Sequence, residues 1–575
     1  MTTPARRGLY ALWLVLIGGF ALLHALNLRA DFPNHSPWFC DWAKYTDEGW
    51  YGNAAIRAHL SGNWYLRGDF NPAPAVPVWP FLEWVLFCFS GVTIQAARGL
   101  AAGCFAANLL LSYMLLRVRG PRWMALLALT LIVTSPFLYC FSRLAILEPS
   151  LTTLTLGALN LAVRLPRLRR PVWASACVGL LFTLMALTKT SAIFLLPALG
   201  WAMLLPLWQI GKQASGSPHR DPREALSASW GGGTGSPPWG GRPALRCASA
   251  AAAAFAFTYG LWMALVVHFG LWGDFKYFFM TTRYDKPPEF YWPLVGFWWS
   301  FHGGLWVDRI LIPLAGLIVL GAVLARWSPG VPASAAADSS AEWNSWGRKL
   351  LRDPVFGASI LAVAGYILFM TCRNHPQPRY FAVVAFFCFF VVAQGTGSLL
   401  GGAGWPRRLG WAVVALAAIA ATANGIHTLT YAAYPEYTFD NAAQRLTRYI
   451  DTHPNGNRLL VSSSGDQISL FTRLPALCGE FGAPSSSFPG LPSELAFYRP
   501  GWYAVWNDMN PILIERIHTR FSLEQEASFP ALDDPDRNLL VLFKLHPLPG
   551  GQVRDPRTLN LRAPLPGDRI DIPVD

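Results

Sequence analysis

The chain predicts a polytopic α-helical membrane protein with a small α/β domain at its C-terminal end. Three observations predict this class. Of 575 residues, 53% are hydrophobic and only 14% charged, too apolar for an ordinary soluble enzyme of that length. The apolar residues fall into blocks of roughly 17 to 22, the length that crosses a hydrocarbon core of about 30 Å at about 1.5 Å per residue. Beyond Tyr431 the blocks give way to short, alternating strand-like and helix-like patterns.

The net charge of +13 does not point to nucleic acid, because Lys and Arg cluster in short loops between apolar blocks and form no continuous basic face. They order the topology instead, since basic loops stay on the cytoplasmic side. Arg6 and Arg7 hold the N-terminus inside. The block Gly8 to Leu28 lacks a small-residue cleavage site and is expected to remain as a start-transfer anchor. It leaves residues 29–77 outside as a long structured loop containing Asp47, Glu48 and a Trp/Pro-rich run.

The block from Val78 to Ser90 is too short to span and reads as a helix lying in the interface. Gln95 to Leu116 then runs inward to Arg117, Arg119 and Arg122, and Met124 to Cys140 runs out to an external loop, Ser142 to Pro149. Ser150 to Val163 returns to the basic cluster Arg164, Arg167, Arg169 and Arg170. Val172 to Leu187 exits and ends at Lys189, and Ala192 to Trp208 comes back in.

A Gly/Ser/Pro-rich linker, Gly211 to Arg246, precedes the outward block Ala248 to Phe269. The aromatic external segment Trp272 to Phe301 carries Lys276, Arg283, Asp285, Lys286 and Glu289. Ile310 to Leu324 returns to a second linker before Lys349, and Val355 to Met370 leads out to a turn with Arg373, His375 and Arg379. Phe381 to Leu400 runs in to Arg407 and Arg408, and Trp411 to Leu429 exits. The count is about eleven spans, with the C-terminus outside.

This divides the chain into a membrane domain, residues 1–430, and an extracytoplasmic α/β domain, residues 431–575. In the second, helices are expected at Asp440 to Ile450, Asp466 to Phe471 and Pro511 to Phe521, and strands at Arg458 to Ser462, Trp502 to Trp506 and Asn538 to Lys544. The nine cysteines show no CxxC pair and no zinc spacing, so neither a disulfide framework nor a cysteine metal site is expected.

The orientation collects Asp47, Glu48, Arg143, Glu148, Lys189 and Arg379 at one membrane face. Acids and bases at the same interface suit a site that deprotonates an acceptor while stabilising an anionic leaving group. The plainer alternatives are a helix start for Asp47 and Glu48, snorkelling for Lys189, and interface anchoring for Arg143 and Arg379.

The segments DEGWYGNAAIRAHLSGNW, SRLAILEP, LTKTSAIFLLPAL and HPQPRYF resemble the membrane glycosyltransferases of the GT-C superfamily, nearest to the branch of protein O-mannosyltransferases and lipid A aminoarabinose transferases. The resemblance covers the membrane part. It implies a GT-C-like fold and an inverting transfer of a sugar from a polyprenyl-phosphate donor to a hydroxyl on a glycan, lipid or protein, at the extracytoplasmic face of the inner (cytoplasmic) membrane.

By that resemblance Asp47 matches a catalytic base or metal-associated carboxylate, and Glu48 the acid that follows it. Glu148 stands where the family often has Asp before Pro. Lys189 and Arg379 match positions that meet the lipid phosphate, with Arg143 a third basic candidate. A divalent metal at Asp47 and Glu148 is compatible with the sequence, although no His/Asp spacing compels one. No P-loop or GxGxxG appears, which suits a lipid-linked donor better than a nucleotide sugar. The competing reading is a transporter or flippase of lipid-linked sugars. It is disfavoured because the charges sit at external span ends and no matched broken helices mark an inverted repeat.

Overall fold

The computed structural model describes residues 3–39, 41–44, 46–66, 69, 71–215, 243–281, 293–327, 346–373, 377–478, 491–507, 511–531 and 538–549. Most of both expected linkers, together with Arg283, Asp285, Lys286, Glu289 and His375, lies outside them.

Among the described residues, seven helices are long and apolar enough to cross a membrane, or eight if the helices Arg122–Thr134 and Pro136–Ser142, bent by 70°, form one span. The bend has a local cause. Pro136 cannot continue the hydrogen-bond ladder, and the Ser135 hydroxyl accepts instead from the Leu138 amide at 3.3 Å, starting a new helix. The blocks expected as spans near the N-terminus, at Ser150 to Val163 and at Ile310 to Leu324 are also helical, as Thr3–Leu23, Leu147–Ala162 and Leu311–Trp327, but fall outside that count.

The centre of the bundle is the helix Phe381–Leu400, which is apolar all round and buried along nearly its whole length. A helix without a polar face has to be enclosed by its neighbours, here Pro354–Arg373, Gly404–Ala433, Leu311–Trp327 and Arg122–Thr134. The helix Pro243–His268 sits at the periphery instead, exposing Phe257 and Leu261. It crosses Pro171–Thr188 at Gly179, where a Cβ would lie 2.1 Å from the Ala251 carbonyl oxygen, so only glycine permits that approach.

The Val78–Ser90 helix forms as expected, burying Trp79, Glu83 and Phe87 while exposing Phe81 and Phe89. After the bundle, five strands make one sheet: β1 (Asn457–Val461), β2 (Ala476–Leu477), β3 (Pro500–Trp506), β4 (Phe521–Pro530) and β5 (Leu539–Pro547), in the order β2-β1-β3-β5-β4. The β1 pairings are parallel; β3 with β5 and β4 with β5 are antiparallel.

The helices Thr438–Thr452, Gly465–Thr472 and Pro511–His518 correspond to the three expected, and β1, β3 and β5 to the expected strands. The third helix stops at His518, short of the expected Phe521, and the chain enters β4. Three acidic or amide side chains, Glu524, Gln525 and Glu526, obscure the alternation of Phe521, Leu523, Ala527 and Phe529 in the sequence. Such polarity is tolerated because β4 is an edge strand.

The sheet is not insulated from the rest of the chain. One of its faces, with Trp502, Ala504 and Leu542, shares a continuous core with Phe439, Leu446 and Ile468, with Tyr51 and Ile56 of the first loop region and with Trp79 of the Val78–Ser90 helix. The other face, with Val461, Tyr503 and Val541, packs on Leu495 and Ile517.

Candidate active site

The segment that carries Asp47 is anchored from several sides. Asp41 Oδ1 accepts from the Ala43 amide at 2.9 Å and turns the chain toward the short helix Asp47–Trp50. That helix lies directly on Gly465–Thr472: the Gly49 amide donates to Gln467 Oε1 at 3.1 Å, and a Cβ at Gly49 would stand 2.2 Å from the Asp466 carbonyl carbon. Gly49 is therefore required by backbone-to-backbone contact. Nearby, Arg57 lies between Asp69 at 2.6 Å and Asp466 at 3.2 Å, with all three buried.

Four of the six expected site residues come together. Arg379 Nη2 is 2.9 Å from Asp47 Oδ2, an ionic contact rather than an aligned hydrogen bond. The same arginine is clamped by Asp41, which accepts from its backbone amide at 2.8 Å and from Nη1 at 2.6 Å. Lys189 donates to Glu148 Oε1, and Glu148 Oε2 is buried without a hydrogen-bond partner among the described residues. Tyr380 links the two pairs, with Lys189 Nζ at 4.5 Å and Arg379 Cζ at 5.1 Å from its ring centre.

Exposure separates the carboxylates. Asp47 keeps 13% of its side-chain surface, against 1% for Asp41 and Glu148, so it is the most accessible of the three. Burial pushes the Asp47 carboxyl above its ordinary range; Arg379 opposes this, Asp41 and Glu148 reinforce it, and Lys189 opposes it more weakly. Such a carboxyl is a stronger base than a solvated aspartate.

Glu48 and Arg143 lie in other networks. Glu48 is fully buried and accepts from Arg98 Nε and Nη2, both at 2.6 Å, from the Ala145 amide at 2.9 Å and from Gln467 Nε2 at 2.8 Å. It ties the first loop, the second loop and the sheet region together. Consecutive residues on a helix point about 100° apart, so Asp47 and Glu48 diverge. Arg143 donates to the carbonyls of Leu26, at 2.7 Å, and Asn27, and to the Tyr139 hydroxyl, securing the chain where it leaves the first helix.

Asp41 and Tyr380 escaped the sequence reading. Tyr380 directly follows Arg379, and Asp41 is an acid in the same external loop as Asp47; these adjacencies were the available signals. Among the described residues no three His, Cys, Asp or Glu side chains gather to hold a metal, and Asp47 and Glu148 each already face a cation.

No protein-family model matches the chain, and no curated protein matches it significantly. Solved structures are similar in part. The archaeal oligosaccharyltransferase AglB from Archaeoglobus fulgidus, in complex with an inhibitory peptide and a dolichol-phosphate, is 13% identical over 89% of this chain and 72% of its own, with a TM-score of 0.46. ArnT from Cupriavidus metallidurans bound to undecaprenyl phosphate is 13% identical over 94% of this chain and 99% of its own, at 0.44. The arabinofuranosyltransferase AftD from Mycobacteria is 13% identical over 94% of this chain and 40% of its own, at 0.41. A likeness at this level does not assign an activity.

Proposed function

We propose that this chain is a membrane glycosyltransferase that moves a sugar from a polyprenyl-phosphate-linked donor to a hydroxyl acceptor, with inversion, at the extracytoplasmic face of the inner membrane. The observation that carries the proposal is the partly exposed Asp47 carboxylate held against Arg379, with Lys189 and Glu148 adjoining through Tyr380.

In the proposed step Asp47 takes the acceptor hydroxyl proton as that oxygen bonds to the anomeric carbon. The bond from carbon to phosphate oxygen breaks, and the phosphate leaves with the electron pair. Arg379 and Lys189 meet that phosphate with charge-assisted hydrogen bonds. Attack from the face opposite the leaving group inverts the anomeric centre. We read residues 1–430 as the catalytic membrane domain, with about eleven spans and a cytoplasmic N-terminus, and residues 431–575 as an extracytoplasmic unit. Glu48 and Arg143 are assigned to holding the loops rather than to chemistry.

The test is release of polyprenyl phosphate from lipid-phosphate sugars by the reconstituted protein. Wild-type protein releases it in the presence of a hydroxyl acceptor, and Asp47→Asn slows release by about 10²- to 10⁴-fold. Unchanged release by the variant removes Asp47 as base. Flux of a lipid-linked sugar across proteoliposomes without transfer replaces the proposal with the transporter.

A further inference from the structure

A groove of mixed polar and apolar lining lies between the helix Thr438–Thr452 and strand β4, with a volume of about 720 Å³. That is within the range of ligand pockets, about 300 to 1,000 Å³. Arg445, Arg448 and Thr452 line it from the helix, and Gln525 and Ser528 from the strand.

The floor of the groove is locked. Tyr449 stacks on His453 with ring centres 4.2 Å apart, and its hydroxyl donates to Glu526 Oε2 at 2.6 Å. Glu526 Oε1 also meets Lys544 at 2.8 Å. Glu526 reaches this position because it sits at a β-bulge: Gln525 pairs with Phe543 and Ala527 with Leu542, leaving Glu526 without an opposite residue. Bulges re-aim side chains in this way, often beside functional sites.

The helix wall is different. Arg445 and Arg448 are exposed, one turn apart, and neither has an acidic partner among the described residues. The acids on their own helix are committed elsewhere, Asp440 to Arg29 and Asp451 to Arg458. Like charges at this spacing repel one another. An anion between them relieves that repulsion and accepts from both guanidinium forks.

We infer that the groove binds an anionic oligosaccharide, the carboxylated or phosphorylated sugar portion of an acceptor. The acceptor role rests on the glycosyl transfer proposed above; the binding itself does not. The amide and hydroxyl groups of Gln525, Ser528 and Thr452 suit sugar hydroxyls. The bulge interrupts the regular edge that an added peptide strand needs, which favours a glycan over a peptide. The groove is also tied to the loop region around Asp47. The Phe439 amide, in the first turn of its helix, donates to Asp31 at 2.9 Å, and Arg29 pairs with Asp440. The two arginines follow roughly 7 to 12 Å along the helix axis from Asp440.

The test is equilibrium binding to the full-length protein in detergent, without turnover, using an oligogalacturonate, its carboxyl-reduced neutral counterpart, a hexose phosphate and an oligoglutamate peptide. The oligogalacturonate or the hexose phosphate binds at least about ten-fold more tightly than the neutral sugar, and the tighter of the two identifies the anionic group. The double variant R445Q/R448Q loses that preference, and Ser528→Trp, which fills the groove, loses binding; both elute as folded wild-type protein does. Asp47→Asn binds as wild type, so a failed transfer reaction leaves the groove separately testable. Equal binding of acidic and neutral sugars, an unaffected double variant, or preference for the peptide overturns the inference.

Discussion

Arg379 is held by one aspartate and offered to another: Asp41 takes its backbone amide and Nη1, at 2.8 and 2.6 Å, while Nη2 stands 2.9 Å from Asp47. A guanidinium fixed at two points has little freedom left at the third, which directs it toward the more exposed carboxylate. Asp41 is thus a positioning residue for Arg379.

Replacing Asp41 with Asn weakens that hold without changing shape. The expected result is a fall in transfer of about 10- to 100-fold, because misplacing a catalytic group by about 1 Å has an effect of that order. The loss appears as a weaker donor KM as well as a lower kcat. Equal kinetics for Asp41→Asn and wild type remove the positioning role.

The pH profile identifies the base. Asp47 must be ionised to accept a proton, and burial raises its pKa above the ordinary range while Arg379 pulls it back. Activity therefore falls on the acid side at a higher pH than a solvated aspartate gives. Arg379→Gln removes the lowering charge, so the acid limb moves to still higher pH, beyond any loss of maximal rate. A limb that stays in place or moves down contradicts the assignment of Asp47.

Glu48 makes a contrasting prediction. Glu48→Ala leaves buried Arg98 without its carboxylate, at a cost of about 3 to 5 kcal/mol. Thermal unfolding should come earlier and proteolysis should be faster. Removing Arg98 as well, as in Glu48→Leu with Arg98→Met, should recover part of the loss, since no charge is then stranded. A Glu48→Gln protein that folds fully but has lost catalysis restores a chemical role to this residue.

The junction between the first loop and the sheet region carries its own pH dependence. Asp466 shares Arg57 with Asp69, and burial raises its carboxyl from 3.8 to about 6, against the lowering effect of Arg57. A folded pKa above the unfolded one means that the folded state binds the proton more tightly. The stabilisation is complete below the unfolded pKa and is lost as pH rises through about 6. Asp466→Asn should flatten this part of the curve of stability against pH, measured by thermal unfolding at a series of pH values. The same slope in variant and wild type assigns it elsewhere.

Much of the architecture was legible because it depends on local sequence. A run of apolar residues long enough to cross a bilayer is helical almost regardless of its neighbours, and the expected spans lie on helices. The strand patterns of β1 and β3 are short apolar runs and could be read directly; β4, polar on an edge, could not.

At the site, Glu148, Lys189 and Arg379 were candidates because each stands beside the end of an apolar block, where a charge is conspicuous, and Asp47 because it belongs to an acidic pair in the first external loop. Tertiary structure decided which charges meet. Glu48 turned away from Asp47 to close a buried network with Arg98 and Gln467, Arg143 went to the exit of the first helix, and Asp41 took hold of Arg379 across 338 residues of sequence. Pairing at such separations depends on the docking of whole elements, as at Gly49 against Asp466, and local sequence pattern does not record it.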